Sequence, residues 1–110
     1  MQWKGAMTEG EFLDRSDAVF ARIEAAIDEQ ELEIDPLRAG NVLELECEDG
    51  SKVVVNRHTA NQEIWLAARN GGFHYRWDGQ DWQSTRGSGE FYADLSAALS
   101  LHLGTTVHIA

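Results

Sequence analysis

The short links between the strand-like segments of this chain restrict its fold more than any other feature. Residues 41–56, NVLELECEDGSKVVVN, alternate in polarity on both sides of an Asp-Gly turn, which predicts a β-hairpin. Further strand-like segments lie at 62–68, 73–77 and 81–85. Links of only a few residues require antiparallel pairing, since a parallel crossover needs about a dozen residues. The middle of the chain is therefore predicted to form an antiparallel meander.

Two segments with helical periodicity enclose this meander. In residues 8–31 apolar side chains recur at helical spacing, and Thr8 with Glu11 predicts a capping box at the start. The period returns in residues 89–103, where Ser88 is the predicted N-cap. Two terminal helices share a core with one sheet only if both cover the same face of it. We therefore predict an α+β two-layer sandwich, with an antiparallel sheet of about five to six strands.

A single domain accounts for the whole pattern. Residues 8–110 are predicted to form it, because a chain of 110 residues is long enough for one core. Within it, residues 105–109 are predicted to be a final short strand or an extended tail. Residues 1–7 are predicted to be a disordered leader or an added extension, with Met7 as an alternative start.

The balance of charge excludes several classes of function. Nineteen Asp and Glu against nine Lys and Arg give a formal net charge of −10. Such a charge repels a phosphate backbone, so we predict no nucleic-acid partner, and it favours cations or a basic protein surface. No apolar run approaches membrane-spanning length, and the N-terminus lacks the apolar region of a secretory signal. We therefore predict a cytoplasmic protein that does not associate with membranes.

Signatures of catalysis are missing from the sequence, which contains neither a Gly-rich phosphate loop nor a nucleophile elbow. The chain is therefore predicted not to be an enzyme. Cys47 is the only cysteine, which excludes an intramolecular disulfide and a cysteine-based zinc site. It lies on the apolar side of its strand and is predicted to be a buried, unreactive thiol.

The first helix separates its charges by sign. The acids along one flank of its apolar face are Asp17, Glu24, Asp28 and Glu31. Arg15 and Arg22 lie on the other flank, whereas an ordinary solvated helix pairs acids with bases four residues apart. The helix then runs into DEQELEID, residues 28–35, with five acids in eight positions. This pattern favours a functional acidic ridge, with an ordinary solvated surface as the alternative.

Ligand chemistry narrows what such a ridge could bind. Glu44, Glu46 and Glu48 project from one face of the first predicted strand and enlarge the acidic surface. Carboxylate oxygens suit hard cations, namely Mg²⁺, Ca²⁺, Mn²⁺ or Fe³⁺. The segment is not an EF-hand loop, and exposed carboxylates completed by water predict weak binding, with Kd about 10⁻⁶ to 10⁻⁴ M. The residues alone leave the choice between iron and calcium open.

Trp65 is the aromatic residue whose side of the sheet the sequence leaves undecided. Because Ile64 and Leu66 flank it, either Trp65 or this pair faces the helices. Trp77 and Trp82 are predicted to lie in or near the core.

The histidines are not spaced as a metal site. His58 and His74 are predicted to face solvent on the sheet, where either could add a nitrogen ligand. His102 lies on the apolar side of the second helix and is predicted to be a hydrogen-bonded residue of the core or its rim.

Four motifs, in their order and spacing, make the chain resemble a known family. They are DGSKVVVNR, IWLA, GGFHYRWDG and GEFYADL. Over residues 8–109 the chain is similar to the frataxin family, in its bacterial CyaY branch, and it differs from the eukaryotic pattern at Ala60 and Glu63.

The resemblance implies a protein that binds iron, as Fe²⁺ or Fe³⁺, weakly and reversibly through surface carboxylates. Such a protein donates iron to iron–sulfur cluster assembly or regulates it, and a weak ferroxidase-type activity is compatible with the resemblance. With Asp17 added from the helical stripe, the metal ligands are then Glu24, Asp28, Glu29, Glu31, Glu33, Asp35, Glu46 and Glu48.

The implied partners are a cysteine desulfurase and an iron–sulfur scaffold protein. Trp65, exposed on the sheet, would contact them together with Asn61 and Glu63. The resemblance implies a monomer, with iron-driven oligomers as an option. The alternative function is an acidic interaction module that docks on the desulfurase and scaffold complex and binds metal only incidentally.

Overall fold

The computed structural model describes residues 7–109. Its helices and strands are α1 (Glu9–Glu29), β1 (Ile34–Ala39), β2 (Val42–Cys47), β3 (Lys52–His58), β4 (Glu63–Ala68), β5 (Gly71–Trp77), β6 (Trp82–Ser84) and α2 (Phe91–Leu103). A 3-10 turn, Thr59–Asn61, connects β3 to β4.

The six strands form one antiparallel sheet in chain order, from β1 at one edge to β6 at the other. The register places Leu43 opposite Val55 and Val55 opposite Leu66, so these three side chains share one face. Both helices pack against that face, since Phe20 of α1 and Leu95 of α2 belong to the same buried cluster. The predicted α+β two-layer sandwich is therefore confirmed.

The tryptophans and the cysteine lie where their patterns predict. Trp82 is buried and Trp77 packs against the core. Cys47 is buried, as predicted, and burial raises the pKa of its thiol.

The helix starts agree with the predictions in one case and differ in the other. At α1 the capping box is present: the Glu11 N–H donates to Thr8 Oγ1 at 3.1 Å and the Thr8 N–H donates to Glu11 Oε1 at 2.9 Å. The N-cap of α2 is Glu90 and not Ser88. Its carboxylate accepts from the backbone N–H groups of Tyr92 and Ala93, and Ser88 lies too far before the first helical residue to reach them.

Strand β1 was not predicted, because the acids and Pro36 conceal it. Asp35 and Pro36 both disfavour a strand, yet a proline is tolerated in an edge strand, where its missing N–H costs no ladder bond. Only Ile34 is buried in β1, and it lies opposite Cys47 on the core face. The acidic connection predicted after α1 is thus partly a sixth strand.

The C-terminal segment is an extended tail and forms no strand. Val107 and Ile109 are buried, and their backbone N–H groups donate to Ser100 Oγ at 2.8 Å and Ser96 Oγ at 3.0 Å. Gln30 Nε2, beyond the end of α1, donates to the carbonyl of His108 at 2.7 Å. The tail therefore ties the two helices together.

The predicted leader lies outside the described residues except for Met7. The Met7 side chain packs against the core, and its carbonyl accepts from Gln62 Nε2 at 2.6 Å. Neither described helix is both long enough and apolar enough to cross a membrane.

Candidate functional site

Most of the predicted metal ligands gather at one end of the sheet. The antiparallel register of β1 and β2 places Asp35 directly opposite Glu46, and the link from α1 brings Glu31 and Glu33 alongside. We call the following exposed carboxylates the acidic edge: Asp28, Glu29, Glu31, Glu33, Asp35, Glu46 and Glu48. Within residues 7–109 none of them forms a salt bridge.

Two hollows follow the acidic edge. The smaller, of about 250 Å³, lies over the β1–β2 pair and is lined by Asp35, Glu46 and Glu48. The larger, of about 540 Å³, lies between the end of α1, the β2–β3 turn and the end of α2. Glu31 and Glu48 line it together with His102. The carboxylates therefore surround open, solvated space.

The donor set fits a hydrated cation better than a coordinated metal centre. In the described part of the chain, no three Asp, Glu, His or Cys side chains come close enough to hold one ion together. An ion at the acidic edge would thus take one or two carboxylates and fill its remaining positions with water. Such binding would be weak and would exchange readily, and the affinity expected from the sequence stays a prediction.

Asp17 and Glu24 differ from the other predicted ligands because arginines hold them. Asp17 Oδ1 forms ion pairs with Arg38 Nη2, at 2.7 Å, and with Arg57 Nη1. Arg38 Nη1 also lies 3.7 Å from Glu24 Oε1. Both guanidinium groups stand over the Phe20 ring, so the cluster fastens α1 to the sheet. Asp17 and Glu24 are therefore less suited to bind a metal than the acidic edge.

Trp65 lies on the sheet face that the helices leave uncovered, as the resemblance implies. It is half-buried there and not fully exposed, because two histidine rings enclose it. His58 stacks on one side with ring centroids 4.3 Å apart, and His74 on the other at 4.2 Å. The indole therefore presents an edge, and not a face, to solvent. The Nδ1 atom of His58 is buried and has no hydrogen-bond partner within the described chain.

Glu63 is an internal support of this stack. Its side chain is buried, accepts from Trp65 Nε1 at 2.9 Å and from Arg76 Nη2 at 2.9 Å, and lies 3.6 Å from His74 Nδ1. The prediction that Glu63 contacts a partner directly finds no support in this geometry, because its carboxylate is fully engaged within the sheet. Asn61 is exposed in the neighbouring 3-10 turn, and its partner role stays a prediction.

His102 lies at the rim of the core and both of its ring nitrogens have hydrogen-bond partners, as predicted. Its Nε2 accepts from the Arg69 backbone N–H at 3.0 Å, and its Nδ1 lies 2.8 Å from Ser51 Oγ. The Nδ1 atom therefore carries the proton in the neutral ring. Burial lowers the pKa of His102, with Arg69 adding to the effect.

Asp49 is a residue of this end of the molecule that sequence analysis treated only as part of a turn. Hydrogen bonds from Ser51 lower the pKa of its carboxyl to about 2, and Arg69 Nη2 lies 3.2 Å from Asp49 Oδ2. Asp49 also lines the larger hollow. The spacing Asp-Gly-Ser, in which a serine two residues on bonds back to the aspartate, is the signal that could have identified it.

Comparison with known proteins agrees with this architecture. A family model described as a frataxin-like domain matches residues 5–105, and the chain belongs to this family. The resemblance inferred from the sequence is thereby confirmed.

Several relatives resemble the chain over nearly its whole length. A protein of Chromobacterium violaceum is 51% identical over 104 residues, covering 94% of this chain and 99% of its own. A protein of Neisseria gonorrhoeae is 48% identical over 104 residues, covering 94% and 97%. Both carry the name iron-sulfur cluster assembly protein CyaY.

Two solved structures have the same fold. Frataxin from Psychromonas ingrahamii is 32% identical, with a TM-score of 0.88 over 94% of this chain and 99% of that one. Trimeric frataxin from the yeast Saccharomyces cerevisiae, complexed with ferrous iron, is 20% identical, with a TM-score of 0.68 over 96% and 94%. At that identity the yeast protein supports the fold alone.

Proposed function

We propose that the chain is an iron-binding protein of iron–sulfur cluster assembly, which holds Fe²⁺ or Fe³⁺ at the acidic edge and donates it or signals its supply. One observation carries this proposal: five carboxylates of the acidic edge, all exposed and without a salt bridge among residues 7–109, line adjoining hollows at one end of the sheet. They are Glu31, Glu33, Asp35, Glu46 and Glu48. The names of the relatives support a role in iron–sulfur cluster assembly, since both denote assembly proteins of that pathway.

Iron is a cargo in this proposal and not a resident cofactor. Hard oxygen donors suit both oxidation states, and the lack of a three-ligand cluster in the described chain favours ions that enter and leave quickly. A carrier or sensor needs such exchange, whereas a catalytic centre needs a fixed geometry. The protein then acts by binding and not as an enzyme.

The partners fit the same surface. A cysteine desulfurase and scaffold protein with a basic patch would be attracted to the acidic edge, and Trp65 on the uncovered sheet face would add an aromatic anchor. The half-buried stack of His58, Trp65 and His74 favours a second candidate function, an interaction module whose metal binding is incidental. Its rigid rings would lose little conformational entropy on docking.

An anaerobic titration with Fe²⁺, followed by amide NMR, tests iron binding. We expect paramagnetic broadening at residues 28–35 and 46–48 that persists in excess Ca²⁺ and Mg²⁺. The Asp35→Asn and Glu46→Gln double variant should weaken it, and the matched control Glu44→Gln, whose carboxylate is paired with Lys52, should not. Shifts that Ca²⁺ reproduces and displaces would reduce the effect to charge screening and reject the iron proposal.

Docking experiments separate the two candidate functions. Charge reversal of Asp28, Glu29 and Glu31 should abolish iron binding if iron is the cargo. If the edge serves only as a docking surface, the same variant weakens desulfurase binding even with a chelator present. Trp65→Ala should leave iron binding intact and weaken docking, and unchanged docking would remove Trp65 from the interface.

A further inference from the structure

Three links between strands combine an aspartate or asparagine with a glycine that follows it directly. They are Asp49-Gly50, Asn70-Gly71 and Asp78-Gly79. At such a pair the backbone nitrogen of the glycine can attack the side-chain carbonyl carbon of the preceding residue, because the glycine has no side chain to hinder the approach. The iron-binding proposal makes no use of this chemistry, so we compare the three pairs for their reactivity.

Hydrogen bonds hold the two aspartates in the ionised form. Asp49 Oδ1 accepts from the backbone N–H of Ser51 at 2.9 Å, and hydrogen bonds from Ser51 lower the pKa of this carboxyl to about 2. The backbone N–H groups of Asp81 and Gln80, at 2.7 and 2.8 Å, lower the pKa of Asp78 in the same way. A carboxylate ion is a poor electrophile, so both Asp-Gly pairs are expected to be unreactive near neutral pH.

Asn70 differs from both aspartates, because its side chain is a neutral amide at the exposed tip of the β4–β5 hairpin. Among residues 7–109 no hydrogen bond holds its carboxamide. Gly71 and Gly72, which follow it, are exposed as well.

The attacking nitrogen lies where the ladder is easiest to open. Gly71 pairs with Ala68, and this pair is the one next to the turn. Ladder ends open at little cost in free energy, and two successive glycines bury no side chain that would hold this end closed. The Gly71 nitrogen is therefore expected to leave the ladder often enough to reach the Asn70 side chain.

We propose that Asn70 is a site of spontaneous deamidation. The Gly71 backbone nitrogen gives its proton to a base in solution and forms a bond to Asn70 Cγ. The bond between Cγ and Nδ2 breaks, ammonia leaves, and a five-membered succinimide remains. Water then opens the succinimide: cleavage at Cγ gives aspartate, and cleavage at the backbone carbonyl gives isoaspartate. The net reaction consumes one water, releases one ammonia and adds one negative charge to the chain.

The surroundings of the turn give this charge a structural effect. Arg69 precedes Asn70, its Nη2 atom lies 3.2 Å from Asp49 Oδ2, and its backbone N–H donates to His102 Nε2 at 3.0 Å. Asp49 and His102 both line the larger hollow. The new carboxylate therefore stands beside the arginine that pairs with Asp49, and it makes this end of the molecule more negative. Isoaspartate in addition lengthens the backbone of a two-residue turn by one atom, which disfavours the pair of Ala68 and Gly71.

Isoelectric focusing and mass spectrometry of the full chain, after incubation at mildly alkaline pH, test the proposal. We expect one more acidic species to accumulate, with the mass gain of an amide converted to an acid in the tryptic peptide 70–76. Asn70→Gln should abolish this species, because glutamine would need a slower six-membered ring closure. Asn61→Gln is the matched control: Asn61 is exposed in the 3-10 turn but precedes Gln62, so the rate should stay unchanged.

A second measurement uses the unmodified protein, so that the result does not depend on a variant. Enzymatic methylation of isoaspartate should label peptide 70–76 after incubation and not before. Label only at Asp49 or Asp78, or a mass gain at another asparagine and none at Asn70, would overturn the proposal. The chain unfolded in urea is the reference. If it forms the acidic species while the folded chain in the same time forms none, the hairpin protects Asn70 and the proposal is wrong. No iron is present in these experiments, so this proposal and the iron-binding proposal fail separately.

Discussion

Asp17 and Glu63 are held by arginines and support the fold, whereas the acids of the acidic edge have no such partner in the described chain. Asp17 joins α1 to β1 and β3 through Arg38 and Arg57, and Glu63 supports the Trp65 stack. Every acid of either group adds one negative charge to the formal net charge, so composition cannot separate the two groups. The difference shows that an acidic residue is a candidate metal ligand only when no basic side chain of the folded chain pairs with it.

The largest effect on stability is expected from removing Arg57, which pairs with Asp17 and joins α1 to β3. Arg57 is 14% exposed, and its guanidinium contacts Asp17, Ser16 and the Phe20 ring. Arg57→Ala should lower the free energy of unfolding by about 2–3 kcal/mol, because it removes the donor of Ser16 Oγ and one of the two guanidinium partners of the half-exposed Asp17. Urea denaturation measures this change. Arg86→Ala should change it by less than about 0.5 kcal/mol, and equal losses would remove the distinction between paired and unpaired charges.

A smaller loss is expected at Glu63. Glu63→Ala removes the acceptor of Trp65 Nε1 and of Arg76, so the free energy of unfolding should fall by about 1–2 kcal/mol. Tryptophan fluorescence should change as well, because the stack loses its support. Glu33→Ala, a matched change at the acidic edge, should cost nothing. A Glu63 variant as stable as the wild type would mean that its hydrogen bonds to Trp65 and Arg76 contribute no net stability.

Removing a charge from the acidic edge should stabilise the fold, in contrast to the losses expected at Arg57 and Glu63. Asp35 and Glu46 lie directly opposite each other in the β1–β2 ladder, where like charges destabilise. Asp35→Asn should therefore raise the free energy of unfolding by about 0.2–1 kcal/mol at low salt, and the gain should vanish in high salt. Glu44→Gln, which breaks the ion pair with Lys52, should not stabilise. Thermal unfolding at two salt concentrations measures both.

The smallest effect on stability is expected from His102, through its protonation. The pKa of His102 is lowered from 6.5 in the folded state, so below about pH 6.5 the unfolded chain binds the proton more readily. The stability that His102 contributes is therefore complete above pH 6.5 and is lost as the pH falls towards its folded pKa. Unfolding curves of the wild type and of His102→Gln should converge on acidification. Curves with a constant separation would contradict this account.

Sequence patterns were sufficient to predict the two layers of the fold but not strand β1, which carries part of the acidic edge. Apolar periodicity identifies α1 and α2 because burial drives both helices. It fails at β1, where one buried side chain, Ile34, leaves no pattern to detect and Pro36 argues against a strand. The opposition of Asp35 and Glu46 follows from that strand, so the sequence could not show it.

The sequence predicted which residues form the candidate site better than it predicted their arrangement in space. The density of acids in residues 28–35 is local and visible in the sequence. Which acids are paired depends on side chains distant in the chain: Arg57 meets Asp17 across 40 positions, and Arg76 meets Glu63 across 13. Such partners follow only from the strand register, which explains why Asp17 and Glu63 were predicted as functional contacts.

Strand β1 also determines whether a strand of another chain can extend the sheet. It is an edge strand, and natural proteins protect such edges from pairing with another chain by placing charges and prolines there. Asp35 and Pro36 provide this protection, while Leu37 next to them is 63% exposed. Cations bound at the acidic edge would reduce the electrostatic repulsion between two copies, and the exposed Leu37 would then lie at an unpaired strand edge. We therefore expect the tendency to self-associate to rise with cation loading.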